Sequence, residues 1–199
     1  MITFPCARNF ENLQRFFNEI VHLRLQSHSV PSDSTYLIWK SNVLLTAPLY
    51  SGVVQAVDSE KEREIRTLVG SIRRIDAVAL YDSLIATAEA RWVKLWSLKT
   101  GEELVQWCAT KTHVTALLLN DCMVVTGSGA GIVKIWDLHR LMGDNVRLAV
   151  PMRKINMKGI IHYPIKAIHQ WTYTDLVIVA KYESRKKKDK VKVVQLKGN

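Results

Sequence analysis

The sequence predicts an all-β fold built from repeated antiparallel sheets of short strands. Two apolar motifs lie forty residues apart, Val93–Leu98 (VKLWSL) and Val133–Leu138 (VKIWDL). Polar turns of about two to five residues, rather than helices, separate the apolar runs, and this favours antiparallel meanders over a parallel α/β sheet. A repeat of about forty residues made of such runs is typical of a β-propeller blade.

The N-terminal segment is the part of the sequence in which apolar residues follow helical spacing. Five apolar residues between Phe10 and Ile20 recur at helical spacing and would share one face of a helix. Residues 1–35 are therefore predicted to form a short N-terminal helix and a lead-in strand. The remainder, 36–199, is predicted to form four repeats, with boundaries at 36–70, 71–110, 111–157 and 158–199.

The second and third repeats show the clearest strands. In the second repeat, strands are predicted at 75–80, 84–88, 93–98 and 103–107, joined by turns at 81–83 and 99–101. In the third, they are predicted at 114–119, 123–127 and 132–138, joined by turns at 120–121 and 128–131. The glycine-rich turn has strands on both sides, so it is predicted to be a hairpin turn and not a phosphate-binding loop.

The first and fourth repeats are degenerate. Val57 and Val194 stand where the other two repeats have tryptophan. Their predicted strands are 43–47, 52–58 and 64–68 in the first repeat, and 176–180 and 191–196 in the fourth. The interval between the third and fourth repeats exceeds forty residues, which predicts an inserted loop within 140–161.

Composition limits the class of protein. The chain has 199 residues, 48% of them apolar, which fits a globular domain and excludes a disordered chain. It contains no run of about 18 apolar residues and no signal-peptide pattern at its start. Cys6, Cys108 and Cys122 are an odd number without metal-ligand spacing, and the last two lie in apolar runs, which predicts buried inert thiols. A cytoplasmic or nuclear location is expected.

The chain is basic, with a formal net charge of +10. A positive balance favours an anionic partner, such as nucleic acid, phospholipid or an acidic protein. Four consecutive basic residues resemble a nuclear-localisation signal and could also contact phosphates: Arg185, Lys186, Lys187 and Lys188. The alternative is a solvated turn between the last two strands.

These motifs resemble the WD40 repeat family over roughly residues 36 to 197. Trp136-Asp137 is the family's dipeptide, Trp96-Ser97 is a common variant of it, and the short turns are most similar to repeats of the F-box/WD type. The resemblance implies a non-enzymatic protein-interaction scaffold or adaptor without cofactor or metal, with possible substrate recognition in a ubiquitin ligase. The alternative is an RNA- or ribonucleoprotein-associated WD40 protein that uses its basic surface.

The sequence departs from the family in two ways, and each departure leads to an expectation about the structure. Family repeats hold a buried network of His, Ser/Thr, Asp and Trp. Here Thr126 or Ser128 can supply the hydroxyl, but the turn at 128–131 has no Asp, so apolar packing is expected to dominate.

The family typically closes with about seven blades, and this length holds about four. The alternatives are a fragment or isoform of a longer propeller, a ring completed by a partner chain, and a four-bladed ring. The first forty residues show one plausible helix and no F-box.

Candidate binding residues fall in turns that the resemblance places on one end of the blades: Arg73, Arg74, Arg91, Trp92, Lys111 and His113. Arginine and aromatic side chains are frequent hot spots, and together they suit an acidic or phosphorylated peptide. The alternative is ordinary surface charge with Trp92 partly packed. The histidines are scattered without metal-ligand spacing, and Ser128 is not in a strand-to-helix elbow, so no metal, cofactor or catalytic residue is predicted.

Overall fold

The computed structural model describes nine segments of the chain: 34–40, 43–48, 52–58, 63–69, 74–143, 149–157, 164–170, 175–180 and 190–195. These segments form fifteen strands and one short helix. The predicted N-terminal helix, Cys6 and the basic run Arg185–Lys188 lie outside the described residues. No helix in the described segments is long and apolar enough to cross a membrane.

The strands form four separate antiparallel sheets, each made of strands that follow one another in the chain. Blade 1 contains β1 (Ser34–Lys40), β2 (Val43–Pro48), β3 (Val53–Asp58) and β4 (Arg63–Val69). Blade 2 contains β5 (Ala77–Tyr81), β6 (Leu84–Glu89), β7 (Trp92–Ser97) and β8 (Glu103–Cys108). Short turns make this meander possible, because antiparallel neighbours need only a few connecting residues.

The other two blades repeat the pattern. Blade 3 contains β9 (Val114–Leu119), β10 (Met123–Ser128), β11 (Ile132–Asp137) and β12 (Arg153–Asn156), and blade 4 contains β13 (Ile165–Gln170), β14 (Asp175–Ala180) and β15 (Lys190–Gln195). A one-turn helix, α1 (Leu138–Leu141), follows β11 and is capped by the Asp137 carboxylate, which accepts from the Arg140 amide at 3.1 Å.

The blades are arranged in an open arc. The first strands of successive blades contact one another: β1 with β5, β5 with β9, and β9 with β13. Among the described elements, blade 1 has no comparable contact with blade 4. The predicted all-β fold of about four propeller-like blades in an incomplete ring is therefore confirmed.

Apolar clusters fill the three interfaces between blades, and the repeated tryptophans occupy matching places in two of them. Trp96 packs in the cluster between blades 1 and 2, and Trp136 packs in the cluster between blades 2 and 3. Both side chains lie on the face of their sheet that meets the preceding blade. The strand alternation places them there, since every second residue of a strand points to the same side.

Each of these indoles also makes one buried hydrogen bond. Trp96 Nε1 donates to Thr87 Oγ1 at 2.8 Å, and Trp136 Nε1 donates to Thr126 Oγ1 at 3.0 Å. Apolar packing is thus supplemented by a repeated indole–hydroxyl pair. Of the two candidate hydroxyls, Thr126 is the partner, whereas Ser128 bonds the Ile132 backbone across the hairpin turn.

The prediction that Cys108 and Cys122 are buried is wrong. Both thiols are free and exposed. Cys108 is the last residue of β8 and lies on the exposed face of that strand, and Cys122 lies in the turn before β10. An apolar run therefore does not bury the residues at its ends, because a strand has two faces and a turn projects into solvent.

Asn120 ties blade 3 to blade 4, and its removal should destabilise both. Its Oδ1 accepts from the amides of Cys122 at 3.0 Å and Met123 at 2.8 Å, while Nδ2 donates to Gln170 Oε1 at 2.9 Å. We expect Asn120→Ala to lower the free energy of unfolding by about 2 kcal/mol in urea titrations, because two amides lose their acceptor. Gln170→Ala, which removes only the bond between blades, should cost less; an equal loss for both variants would contradict a role for the turn.

Candidate interaction site

Two connections meet at one end of blade 2 and build the candidate site. The turn between β6 and β7 and the connection between β8 and β9 are joined by backbone hydrogen bonds. The Ala109 amide donates to the Arg91 carbonyl at 3.0 Å, and the Val114 amide donates to the Ala90 carbonyl at 2.7 Å. Ala90 has a φ of 51°, a conformation that non-glycine residues seldom adopt, so these bonds hold a tight turn in place.

Asp76, the residue immediately before β5, contacts the same end of blade 2. Its Oδ2 accepts from the Ala90 amide at 2.8 Å and lies 3.7 Å from Nδ1 of His113. Its Oδ1 receives the Arg74 guanidinium at 2.9 Å. The Asp76 side chain is 12% exposed, whereas the His113 side chain is 73% exposed. One carboxylate thus positions a backbone turn and two cationic or potentially cationic side chains.

These elements enclose an open groove with a volume of about 700 Å³. Throughout, the groove means the concavity lined by nine residues: Glu89, Ala90, Arg91, Trp92, Lys94, Gln106, Lys111, Thr112 and His113. Three of these side chains are basic and one is a carboxylate, so the groove has a positive balance with histidine neutral. Such a balance favours an anionic ligand.

Trp92 and Arg91 form the aromatic and cationic edge of the groove. The Arg91 guanidinium lies 5.9 Å from the centre of the Trp92 ring, within the range of a cation–π contact. Trp92 is 38% exposed and is the first residue of β7. An exposed tryptophan supported by arginine offers a partner a large apolar area that loses little conformational entropy on binding.

Lys94 is largely neutralised within the groove. Its Nζ lies 2.7 Å from Glu103 Oε2 and 5.3 Å from the centre of the Trp96 ring. Its side chain is 15% exposed. The uncompensated positive charge of the groove therefore comes mainly from Arg91 and Lys111, at the end of the blade.

The structure brings together four of the six predicted binding residues: Arg91, Trp92, Lys111 and His113. Arg74 forms an ion pair with Asp76, which also lies close to His113, but Arg74 does not line the groove. Arg73 is outside the described residues. Sequence reasoning missed four polar lining residues: Glu89, Lys94, Gln106 and Thr112. The alternation of β7 could have identified Lys94, since it lies two residues from Trp92 on the same strand face.

The groove is suited to non-covalent recognition. It offers guanidinium, ammonium, imidazole, carboxamide and hydroxyl groups beside one exposed indole. Among the residues that the structure describes, no three His, Cys, Asp or Glu side chains come close enough together to hold a metal ion. The arrangement can bind an extended ligand with an anionic group and an apolar or aromatic group side by side.

No protein-family model matches the sequence. Among solved structures, the chain is similar to the computationally designed Ika4 protein, with a TM-score of 0.65 and 22% identity over 85% of this chain and 95% of Ika4. It is also similar to the computationally designed Ika8 protein, with a TM-score of 0.62 and 22% identity over 81% of this chain and 45% of Ika8.

A third similar structure is a chain of the mitotic checkpoint complex, with a TM-score of 0.60 and 15% identity over 73% of this chain and 45% of that chain. The protein thus spans nearly all of Ika4 but less than half of the other two. At these identities the likeness shows the fold, and the chemistry of the groove belongs to this sequence.

Proposed function

We propose that this protein is a non-enzymatic protein-interaction scaffold of the WD40 type, and that it binds a partner through the groove. The observation that carries the proposal is the convergence of Arg91, Trp92, Lys111 and His113 on one open concavity. Two backbone-bonded connections hold these residues, so a partner meets a site that is already formed. The fold that it shares with a chain of a multiprotein complex is compatible with this role.

The partner that fits best is an acidic or phosphorylated peptide. Arg91 and Lys111 supply positive charge at the end of the groove, and the Trp92 ring supplies apolar area beside it. Hydrogen bonds between cationic donors and carboxylate or phosphate oxygens are stronger than neutral ones. Lys94 is already paired with Glu103, so an anionic group is expected to bind beside Arg91 and Lys111.

Three finer proposals extend this function. The F-box/WD-like turns support substrate recognition in a ubiquitin ligase. The basic run Arg185–Lys188 supports a cytoplasmic or nuclear location. The open arc supports completion of the ring by further blades or by another chain. Light scattering of the purified protein tests the second possibility. A stable compact monomer would reject completion by another chain.

A partner obtained by affinity purification of the tagged chain tests the groove directly. We expect the double variant Arg91→Glu/Trp92→Ala to weaken its binding at least tenfold, since a charge is reversed and an aromatic contact is lost. The matched control is Lys99→Glu, which changes the charge equally at the opposite end of β7. Unchanged affinity in the double variant, with an intact fold by circular dichroism, would reject the groove as the site.

The second candidate is an RNA-associated scaffold, favoured by the net charge of +10. Phosphate contacts release counterions, so binding to a generic RNA should then fall steeply between low and physiological salt. Absence of RNA binding at low salt would eliminate this candidate.

A further inference from the structure

Two lysines lie opposite each other on the last two strands of blade 3. Lys134 on β11 pairs in register with Lys154 on β12. Directly paired residues of antiparallel strands project to the same side of the sheet, with Cβ atoms about 5 Å apart. Like charges in this position destabilise a sheet, so the pair lowers the stability of the blade in the absence of a neutralising group.

The Lys134 ammonium is held in place rather than free in solvent. Its Nζ donates to the Ala109 carbonyl at 2.6 Å and lies 5.2 Å from the centre of the Trp136 ring. Since an ammonium group has three N–H donors, this bond leaves two available to a ligand. The Ala109 carbonyl belongs to the connection between β8 and β9, so Lys134 reaches from blade 3 to the connection that also carries Lys111.

Burial lowers the pKa of Lys134, and the positive charges of Lys154 and Lys111 lower it further. Cys108 acts in the opposite direction, and no carboxylate among the described residues contributes to this shift. Lys154, its cross-strand partner, and Lys111, two residues after the Ala109 carbonyl that Lys134 contacts, therefore each repel the Lys134 ammonium. An anion placed among them would relieve that repulsion.

The equivalent position in blade 2 has the opposite environment. Lys94 occupies the place of Lys134 in the repeated motif and lies over Trp96 at nearly the same distance, 5.3 Å. There Gln106 is the cross-strand neighbour, and Glu103 neutralises the ammonium at 2.7 Å. Packing of the repeat therefore does not require a second lysine, and the cluster in blade 3 is a local feature of this chain.

We propose that Lys111, Lys134 and Lys154 form an anion subsite beside the groove, which binds an acidic or phosphorylated side chain of the peptide that occupies the groove. This inference rests on the proposed function. Lys111 lines the groove and also acts on Lys134, so it connects the two sites. The peptide would place one group against Trp92 and an anionic group, further along its chain, among the lysines.

The surroundings favour a peptide over a nucleic acid. Glu89 lines the groove and Glu103 lies beside Lys94, so positive charge does not continue along the groove floor. A phosphodiester backbone carries a charge at every nucleotide and would meet these carboxylates, whereas a peptide can place neutral residues there. The site therefore fits a ligand with separated anionic groups.

The test measures binding of two fluorescein-labelled probes to the full chain at low salt, a peptide of about ten glutamates and an oligouridylate of similar length. We expect Lys134→Gln/Lys154→Gln to weaken peptide binding about tenfold, through loss of two charge-assisted contacts. Lys134→Arg/Lys154→Arg should retain binding, because both charges remain. Lys99→Gln/Lys166→Gln, a matched loss of two exposed lysine charges on blades 2 and 4, should leave binding unchanged.

Several results would overturn the subsite. They are unchanged peptide affinity in the double glutamine variant, no binding of the glutamate peptide by the parent chain, or tighter binding of the oligouridylate than of the peptide. The purified partner separates the two proposals: if Arg91→Glu/Trp92→Ala weakens its binding and the glutamine variant does not, the groove stands and the subsite fails. If neither variant weakens it, the proposed function fails.

A stability measurement distinguishes a binding role from a structural one. Lys154→Glu replaces the like-charge pair by an opposite-charge pair, as with Lys94 and Glu103 in blade 2. We expect the variant to unfold about 1–3 °C higher and to lose affinity for the glutamate peptide. A lower unfolding temperature would show that Lys154 supports the fold, and would contradict the subsite.

Discussion

Trp136→Ala is expected to destabilise the protein by about 4 kcal/mol, among the largest losses of any single substitution in this chain. Trp136 is 1% exposed, donates a buried hydrogen bond to Thr126, and packs edge-on against Trp107 with ring centres 5.8 Å apart. Truncation would open a cavity between blades 2 and 3 and leave the Thr126 hydroxyl without its donor. The Lys134 ammonium would also lose the ring beneath it.

Urea unfolding followed by circular dichroism measures this effect. Trp92→Ala is the matched control, because Trp92 is 38% exposed and should cost less than about 1 kcal/mol. Thr126→Val isolates the hydrogen bond from the packing and should cost about 1–2 kcal/mol. Equal losses for Trp136→Ala and Trp92→Ala would contradict the arrangement of the interface between blades 2 and 3.

Gly127→Val is expected to separate blade 4 from blade 3. A Cβ atom at Gly127 would lie 2.5 Å from Ile165 Cγ2 and 2.8 Å from Ile165 Cβ, distances that no real packing tolerates. Ile165 is fully buried at the start of β13, so it has no space into which to move. We expect a loss of about 3 kcal/mol or more, because overpacking must displace a whole sheet.

Limited proteolysis combined with thermal unfolding measures the separation. Gly129→Ala is the control, since the nearest atom to a Cβ there is 3.9 Å away and the change should be tolerated. Gly127→Ala combined with Ile165→Ala should recover part of the loss, because it removes the 2.5 Å contact and leaves the 2.8 Å one. Full stability in Gly127→Val would show that blade 4 does not pack on blade 3 as described.

The two lysine environments show how repeated motifs diverge in local chemistry. Lys94 and Lys134 stack over equivalent tryptophans, yet one is ion-paired and the other lies among like charges. The first arrangement favours stability, and the second favours binding at a cost in stability. A substitution that replaces the repulsion between Lys134 and Lys154 by attraction should therefore raise stability and weaken binding at the proposed subsite. Lys154→Glu allows both effects to be measured in one variant.

The sequence predicted most strands of the two clear repeats, because their apolar runs alternate with strong turn signals. It predicted the lead-in strand within residues 1–35, whereas β1 spans Ser34–Lys40, and it missed β12 and β13. In β12 the only buried residue is Ile155, so the strand has no alternating pattern to detect. Helix α1 was also missed, since one helical turn is too short to show helical spacing.

Four groove residues were predicted because they lie in or next to connections between strands, and connections at the same end of a meander meet in space. The lining residues that were missed lie mostly on strands, where a polar residue is indistinguishable in sequence from ordinary solvent-facing surface. Lys134 and Lys154 were missed for a further reason. Their importance depends on the Lys111 connection, which reaches them only when blades 2 and 3 pack together.

The sequence by itself determined the repeat, the order of most strands and turns, and a number of about four blades, because these follow from local alternation and turn chemistry. Tertiary structure decided which faces of the sheets meet, how Ile165 packs against Gly127, and that Cys108 and Cys122 are exposed. Contacts between blades depend on how whole sheets dock, and no local pattern records that geometry. The groove and the lysine cluster arise from this docking, and so does the function proposed for them.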